Sequence, residues 1–405
     1  MGWVRRGVIV LAVALAVVAQ AAAARLPLPT RLANALAVRG TVPASSAALA
    51  VDLDSGGIVF ERNASLSLDP ASNEKLPVTF AALRALGSTY RFRTALVASG
   101  QREGAVWHGD LYLKGYGDPT LTSARLTRLA VHLAASGITR VDGRLFADES
   151  WFDRRRVGPG WKSGFLVLEC PPLSALVVDR GFYDNHTAAS PAIAAAGAFR
   201  RILRGLGVTT GPVGVGTAPA DATRLGQVLS PSLDNVLAVM DRDSDNFRAE
   251  MLLKDLGAEL GGAGTSAAGA AVVRRALTAA GIPLDGVVIA DGSGLSSLDR
   301  LTATSVVRLL LAAWSDPELK RVFWSALPVA GETGTLVHRM ADGPGHGVVR
   351  AKTGTTDQAS ALSGYAGERY AFAVLQNGDP VAWTPARKAQ DRFANALASA
   401  ALAAQ

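Results

Sequence analysis

Apolar and polar positions alternate with a period of two in stretches near both ends of the chain. Ala47–Asp54 and Ile58–Asn63 read as two strands around the turn Asp54-Ser55-Gly56-Gly57. Near the other end, Val348–Thr353, Ser360–Tyr365 and Tyr370–Gln376 read as three more. Between them the period lengthens to that of helices. Leu76, Thr79, Phe80, Leu83 and Leu86 recur at helical spacing, and Gly87 ends the run. Leu121–Ser136, Pro191–Leu206, Ala267–Gly281, Ala303–Ala313 and Thr384–Leu402 follow the same rule, and Leu233–Gly257 is a helical region interrupted at Asp241–Asn246. Strands are expected within 91–114 and at Thr139–Phe146, whereas 147–190 is rich in Trp, Pro and Gly and has no clear period. Strands at both ends with helices between them predict an α/β domain whose sheet is completed by its two ends, with a second unit inserted.

Residues 1–24 stand apart. Arg5 and Arg6 precede an apolar run from Gly7 to Val18, and Ala22-Ala23-Ala24 offers a small-residue cleavage site. The run is short for a span of about 20 residues, so a cleaved signal segment is expected, with the mature chain starting near Arg25. The protein is then expected to be exported, with no membrane span after cleavage.

Composition narrows the chemistry. With 49% hydrophobic and 19% charged residues among 405, the chain can bury a large core. The net charge of +7 is spread thinly, without a basic run, so no nucleic-acid partner is expected. Only seven of the 41 basic residues are lysine. The single cysteine, Cys170, excludes an intramolecular disulfide and reads as a packed apolar residue. The five histidines show no metal-binding spacing, so neither a metal nor another cofactor is expected.

Three short motifs carry the candidate chemistry. In Ser72-Asn73-Glu74-Lys75, the serine and lysine are three positions apart and share a helix face. A neutral amine there can activate the hydroxyl. The same four residues also suit an ordinary helix cap with a solvated lysine. Ser244-Asp245-Asn246 is the one Ser-x-Asn in the chain, and it breaks a helical stretch as a displayed pair or a polar turn would. Lys352-Thr353-Gly354-Thr355 ends an apparent strand, where Gly354 permits close approach to a substrate.

In this order the three motifs form the set found in penicillin-binding proteins and β-lactamases. The chain resembles the penicillin-binding protein type 4 family, serine D-alanyl-D-alanine carboxypeptidases/endopeptidases. The likeness extends through PASNEKLPVT (70–79), GYGDPTLT (115–122), SDNFRAEMLLK (244–254), DGSGLSSLDRLTA (291–303), LPVAGETGTL (327–336) and AKTGTTDQASALSGY (351–365). It implies a β-lactamase/transpeptidase-like α/β domain, an antiparallel sheet with helices on both faces, made from 25–90 and 224–405. Residues 91–223 would be a reduced inserted α/β domain, because only 172 positions separate Ser72 from Ser244. The missing length falls around Asp184–Gly197.

The resemblance also implies roles. Ser72 would be the nucleophile, Lys75 its base, and Ser244 a proton relay to the leaving amine. Asn246 would hold the substrate amide, and Lys352 would keep the local potential positive. Thr353 and Thr355 would bind the terminal carboxylate, beside Gly354. Ser293 is expected in a structural turn near the site. In related enzymes the inserted domain helps form a pocket for an amine-bearing side chain. Trp151 and Asp153 are candidates for it, or else a core tryptophan with a surface carboxylate. The expected partners are peptidoglycan stem peptides ending in D-Ala-D-Ala, and β-lactams as inhibitors. The alternatives are a β-lactamase-like hydrolase or a catalytically inactive envelope binding module.

Overall fold

Tyr370–Asn377 is the central strand of a five-stranded antiparallel sheet in the computed structural model, which describes residues 26–183 and 186–404. The expected signal segment lies outside the described residues. The strands lie in the order Val349–Thr355, Ala359–Ala366, Tyr370–Asn377, Ser46–Asp52, Ile58–Arg62. The two ends of the chain meet here, with Ala48 opposite Val374 and Ala50 opposite Phe372.

The period of two sorts side chains onto two apolar layers. Ala48, Ala50, Phe372 and Val374 face helices Leu28–Leu36 and Trp383–Ala403, packing with Leu32, Phe393 and Leu397. Ala47, Leu49, Val51, Ala371, Ala373 and Leu375 face the other way, onto Val306 and Leu310 of helix Ala303–Ser315. The two-sided cover explains why Ser46–Asp52 is buried along its whole length.

Helix Lys75–Leu86 lies in the middle of the second layer. Its residues from Lys75 to Leu83 are all buried. A helix that is apolar on every side belongs inside a protein. Five helices enclose it: Leu233–Arg242, Asn246–Leu260, Ser266–Ala279, Ala303–Ser315 and Pro317–Ala326. Lys75, at the first position of this helix, is therefore carried into the core by its neighbours.

A second five-stranded sheet is built from the intervening segment, in the order Val213–Val215, Leu145–Asp148, Leu111–Gly115, Arg93–Ala98, Thr223–Leu229. Helices Ser123–Ala135 and Pro191–Gly205 cover one face through Leu126, Leu129, Phe199 and Leu203. Thr223–Leu229 pairs with Arg93–Ala98, so this sheet extends past the boundary expected at 223. The single strand expected at Thr139–Phe146 is two, Arg140–Val141 and Leu145–Asp148, in different sheets. The stretch that lacked a period is held by polar links. Arg156 donates to both Glu149 oxygens at 2.6 and 2.7 Å and to the Leu173 carbonyl at 2.9 Å. Cys170 is fully buried, and burial pushes its thiol pKa up. Among the described residues no helix is long and apolar enough to cross a membrane.

The layer beneath the C-terminal helix rests on Phe393, whose ring meets Phe60 at 5.5 Å and Phe372 at 6.2 Å. Phe393→Ala is expected to lower unfolding free energy by about 3–5 kcal/mol in urea titrations. A loss under about 1 kcal/mol would contradict this packing.

Candidate active site

Ser72 sits on a short 3-10 turn, Ala71–Glu74, that runs directly into helix Lys75–Leu86. The turn is pinned from two sides. Asn377 and Asp69 exchange two hydrogen bonds of 2.9 Å, and Asp69 Oδ1 accepts from the Ala71 N–H at 2.8 Å. Asn73 Nδ2 donates to the Lys352 carbonyl at 3.1 Å, tying the turn to strand Val349–Thr355. Gly354 makes this contact possible: a Cβ there would lie 2.7 Å from the Pro70 carbonyl and 3.1 Å from Ala71 Cβ. Its close approach is thus to the Ser72 turn rather than only to a substrate.

Lys75 Nζ has three neighbours: Ser72 Oγ at 3.0 Å, Asn246 Oδ1 at 2.8 Å and the Ser293 carbonyl at 2.6 Å. The side chain has no solvent exposure. Burial lowers its pKa, against the opposing pull of Asp291, Glu250, Asp241 and Asp245. Two of those acids are themselves pushed up by burial, Glu250 to about 8 and Asp241 to about 7. Carboxyls that hold protons near neutral pH pull less on the amine.

Ser244 and Asn246 flank the break between two helices. Ser244 adopts φ of +59°, and Asp245 caps helix Asn246–Leu260 by accepting from the Arg248 N–H at 3.0 Å. Asp245 is also ion-paired with Arg180 and Arg248. The sharp turn delivers Ser244 Oγ to Lys352 Nζ at 2.8 Å, while Asn246 reaches Lys75. Asn246 Nδ2 donates to the Glu169 carbonyl at 3.1 Å. Lys352 is buried and also donates to the Thr353 carbonyl at 2.9 Å. Burial drives its pKa well down, aided by the charge of Lys75 and opposed by Asp241.

Val349–Thr355 is an edge strand. Val349 O accepts from Ala330 N–H at 2.9 Å and Ala351 N–H donates to Pro328 O at 3.1 Å, so its odd-numbered residues turn their backbone outward. By the same period Thr353 and Thr355 face outward beyond that cover. A cavity of about 440 Å³ opens there, lined by Ser72, Ser244, Asn246, Thr353, Thr355 and Arg387 among others.

A family model described as D-Ala-D-Ala carboxypeptidase 3 (S13) matches residues 28–190 and 182–399. The chain belongs to this family. It is a serine D-Ala-D-Ala carboxypeptidase. The D-alanyl-D-alanine carboxypeptidase of Actinomadura sp. (strain R39) is 35% identical over 424 residues, spanning 83% of this chain and 78% of that relative. Penicillin-binding protein 4 of Haemophilus influenzae shares the fold, with a TM-score of 0.79 at 24% identity over 92% of this chain and 98% of that one. The same protein solved with a β-lactam gives 0.76 at 23% identity over the same shares.

Within this S13 chain, the three motifs converge on one cavity, but Trp151 and Asp153 do not join them. Trp151 Nε1 donates to Asp255 Oδ1 at 3.0 Å, and its ring lies edge-on to Tyr116 at 5.1 Å. Asp153 is ion-paired with Lys254, an amine only 1% exposed. Its charge is already met by the protein, so an incoming ammonium would have to displace a partner that has no water to take its place.

Other groups at the site lie outside the three catalytic motifs. Ser293 does lie in a buried turn, held as Glu250 Oε1 accepts from Gly292 and Ser293 N–H and Asp291 accepts from Ser293, Gly294 and Ser296 N–H. Its carbonyl, not its hydroxyl, reaches Lys75. Asp241, one turn before Ser244, interacts electrostatically with both motif lysines, and its Oδ2 accepts from Thr79 Oγ1 at 2.7 Å. Thr335 Oγ1 accepts from Thr353 Oγ1 at 2.8 Å.

Gly294 has φ of +79°, and a Cβ there would fall 1.9 Å from the Ala71 carbonyl and 2.9 Å from Ser72 N. Gly294→Ala is expected to displace the Ser72 turn and cut kcat/KM on a D-Ala-D-Ala peptide about 100-fold. Wild-type kinetics in that variant would refute the contact.

Proposed function

We propose that the chain releases D-alanine from peptidoglycan stem peptides ending in D-Ala-D-Ala, and opens the related cross-links, by acyl transfer through Ser72. The observation that carries this reading is the set of three partners around Lys75 Nζ. A neutral amine has two N–H donors and one lone pair. Asn246 Oδ1 and the Ser293 carbonyl accept the two donors, which leaves the lone pair for the Ser72 hydroxyl. Lys75 then takes the hydroxyl proton as Ser72 Oγ attacks the carbonyl of the penultimate D-Ala.

The oxyanion would be met by the backbone N–H groups of Ser72 and Thr355. A preorganised donor of this kind contributes about 3–4 kcal/mol to the transition state. Ser244, hydrogen-bonded to Lys352, would relay to the departing amine the proton that Lys75 took from Ser72, which returns Lys75 to its neutral form. With Lys75 neutral, Lys352 no longer faces a like charge, while burial still holds its pKa down and Asp241 opposes that shift. Thr353 and Thr355 would hold the terminal carboxylate, and Asn246 the acyl-side amide. Water then hydrolyses the acyl-enzyme by the same base. A β-lactam would acylate Ser72 and leave slowly. Export through residues 1–24 would bring the protein to its polymer outside the membrane.

Incubation with a D-Ala-D-Ala peptide is expected to release D-alanine, and Ser72→Ala to lower that rate by about 10⁴-fold or more. Intact-mass analysis should show one penicilloyl adduct on the wild type and none on the variant. Equal release by both proteins would refute Ser72 as nucleophile, and rapid turnover without an adduct would favour a β-lactamase.

A further inference from the structure

The two motif lysines supply no positive charge at the cavity surface. Neither lines the cavity, and both are buried with their N–H donors engaged inside the protein. The threonines of the edge strand offer neutral hydroxyls. A terminal carboxylate seated on them would still lack an opposite charge, and desolvating an unpaired anion is costly.

The wall beside Thr355 is formed by helix Trp383–Ala403. Trp383 Nε1 donates to the Thr356 carbonyl at 2.8 Å, fastening the helix to the turn that follows the third motif. Arg387 is four residues further on, so it shares that helix face. Its Nη2 lies 3.3 Å from Thr355 Oγ1, and it lines the cavity. Among the described residues, no carboxylate forms an ion pair with Arg387. The other guanidinium on the wall, Arg339, is already engaged by Asp391 at 2.6 Å and by Gln390 at 3.1 Å. Glu169 also lines the cavity, and its backbone carbonyl accepts from Asn246 Nδ2 at 3.1 Å.

We infer that Arg387 is a specificity-determining residue that receives the C-terminal carboxylate of the substrate together with Thr353 and Thr355. This rests on the acyl-transfer reading above. A guanidinium keeps its charge at any working pH and pairs with a carboxylate through two parallel N–H donors. The residue would select peptides that end in a free acid over those whose end is blocked.

The test compares an acyl-D-Ala-D-Ala peptide with its C-terminal carboxamide, following release of D-alanine or D-alaninamide. The wild type should prefer the acid. Arg387→Ala should reduce the acid-over-amide ratio of kcat/KM by about tenfold or more, as expected for loss of a charge-assisted bond, and Arg387→Lys should recover part of it. An unchanged ratio in Arg387→Ala would overturn the inference. So would a parallel fall on both peptides, which would mark a structural role. If the wild type releases neither product, the acyl-transfer reading itself fails.

Discussion

The site depends on an amine kept out of water with only two carbonyl acceptors and one hydroxyl around it. Lys75 opens a helix that is buried on every side, and five further helices close over it. Moving a charged ammonium into such a place costs several kcal/mol. A neutral amine fits without that cost, because Asn246 and Ser293 satisfy its two donors. Burial thus pulls this amine toward its neutral form, the form that the proposed acyl transfer needs in order to take the Ser72 proton.

The other parts of the site follow from the need to bring three distant segments to that amine. The ends of the chain build one sheet, which places the edge strand Val349–Thr355 beside the Ser72 turn. The break between two helices swings Ser244 and Asn246 toward different lysines. Glycines at 294 and 354 allow backbones to approach more closely than any side chain would permit. The buried acids Glu250 and Asp291 orient the Ser293 carbonyl by taking the N–H groups of its turn. The second sheet stands beside this assembly, and its link through Trp151 and Asp153 is internal.

Much of this was legible from residue order. The two-residue period at both ends announced the main sheet, and the three motifs announced the residues that converge. The rest was hidden for identifiable reasons. Helix Pro317–Ala326 is not among the expected elements; Asp316 caps it by accepting from the Glu318 N–H at 2.9 Å, with Pro317 at its first position. Thr223–Leu229 is an exposed edge strand with Gly226 next to an irregular register, so it has little hydrophobic period to detect. Asp153 looked like an available carboxylate because nothing in the local sequence reveals that Lys254, a hundred positions away, already pairs with it. Arg387 belongs to no motif, and its place beside Thr355 arises only when the last helix docks.

The most direct measurement is the proton affinity of Lys75 itself. The chain has only seven lysines, so selective labelling of their side-chain carbon and nitrogen gives a tractable NMR titration, with a Lys75 variant to assign the signal. The account predicts that Lys75 loses its proton below the ordinary lysine value of about 10.4. A Lys75 signal that stays protonated to that value or beyond would contradict the neutral base on which the site is built.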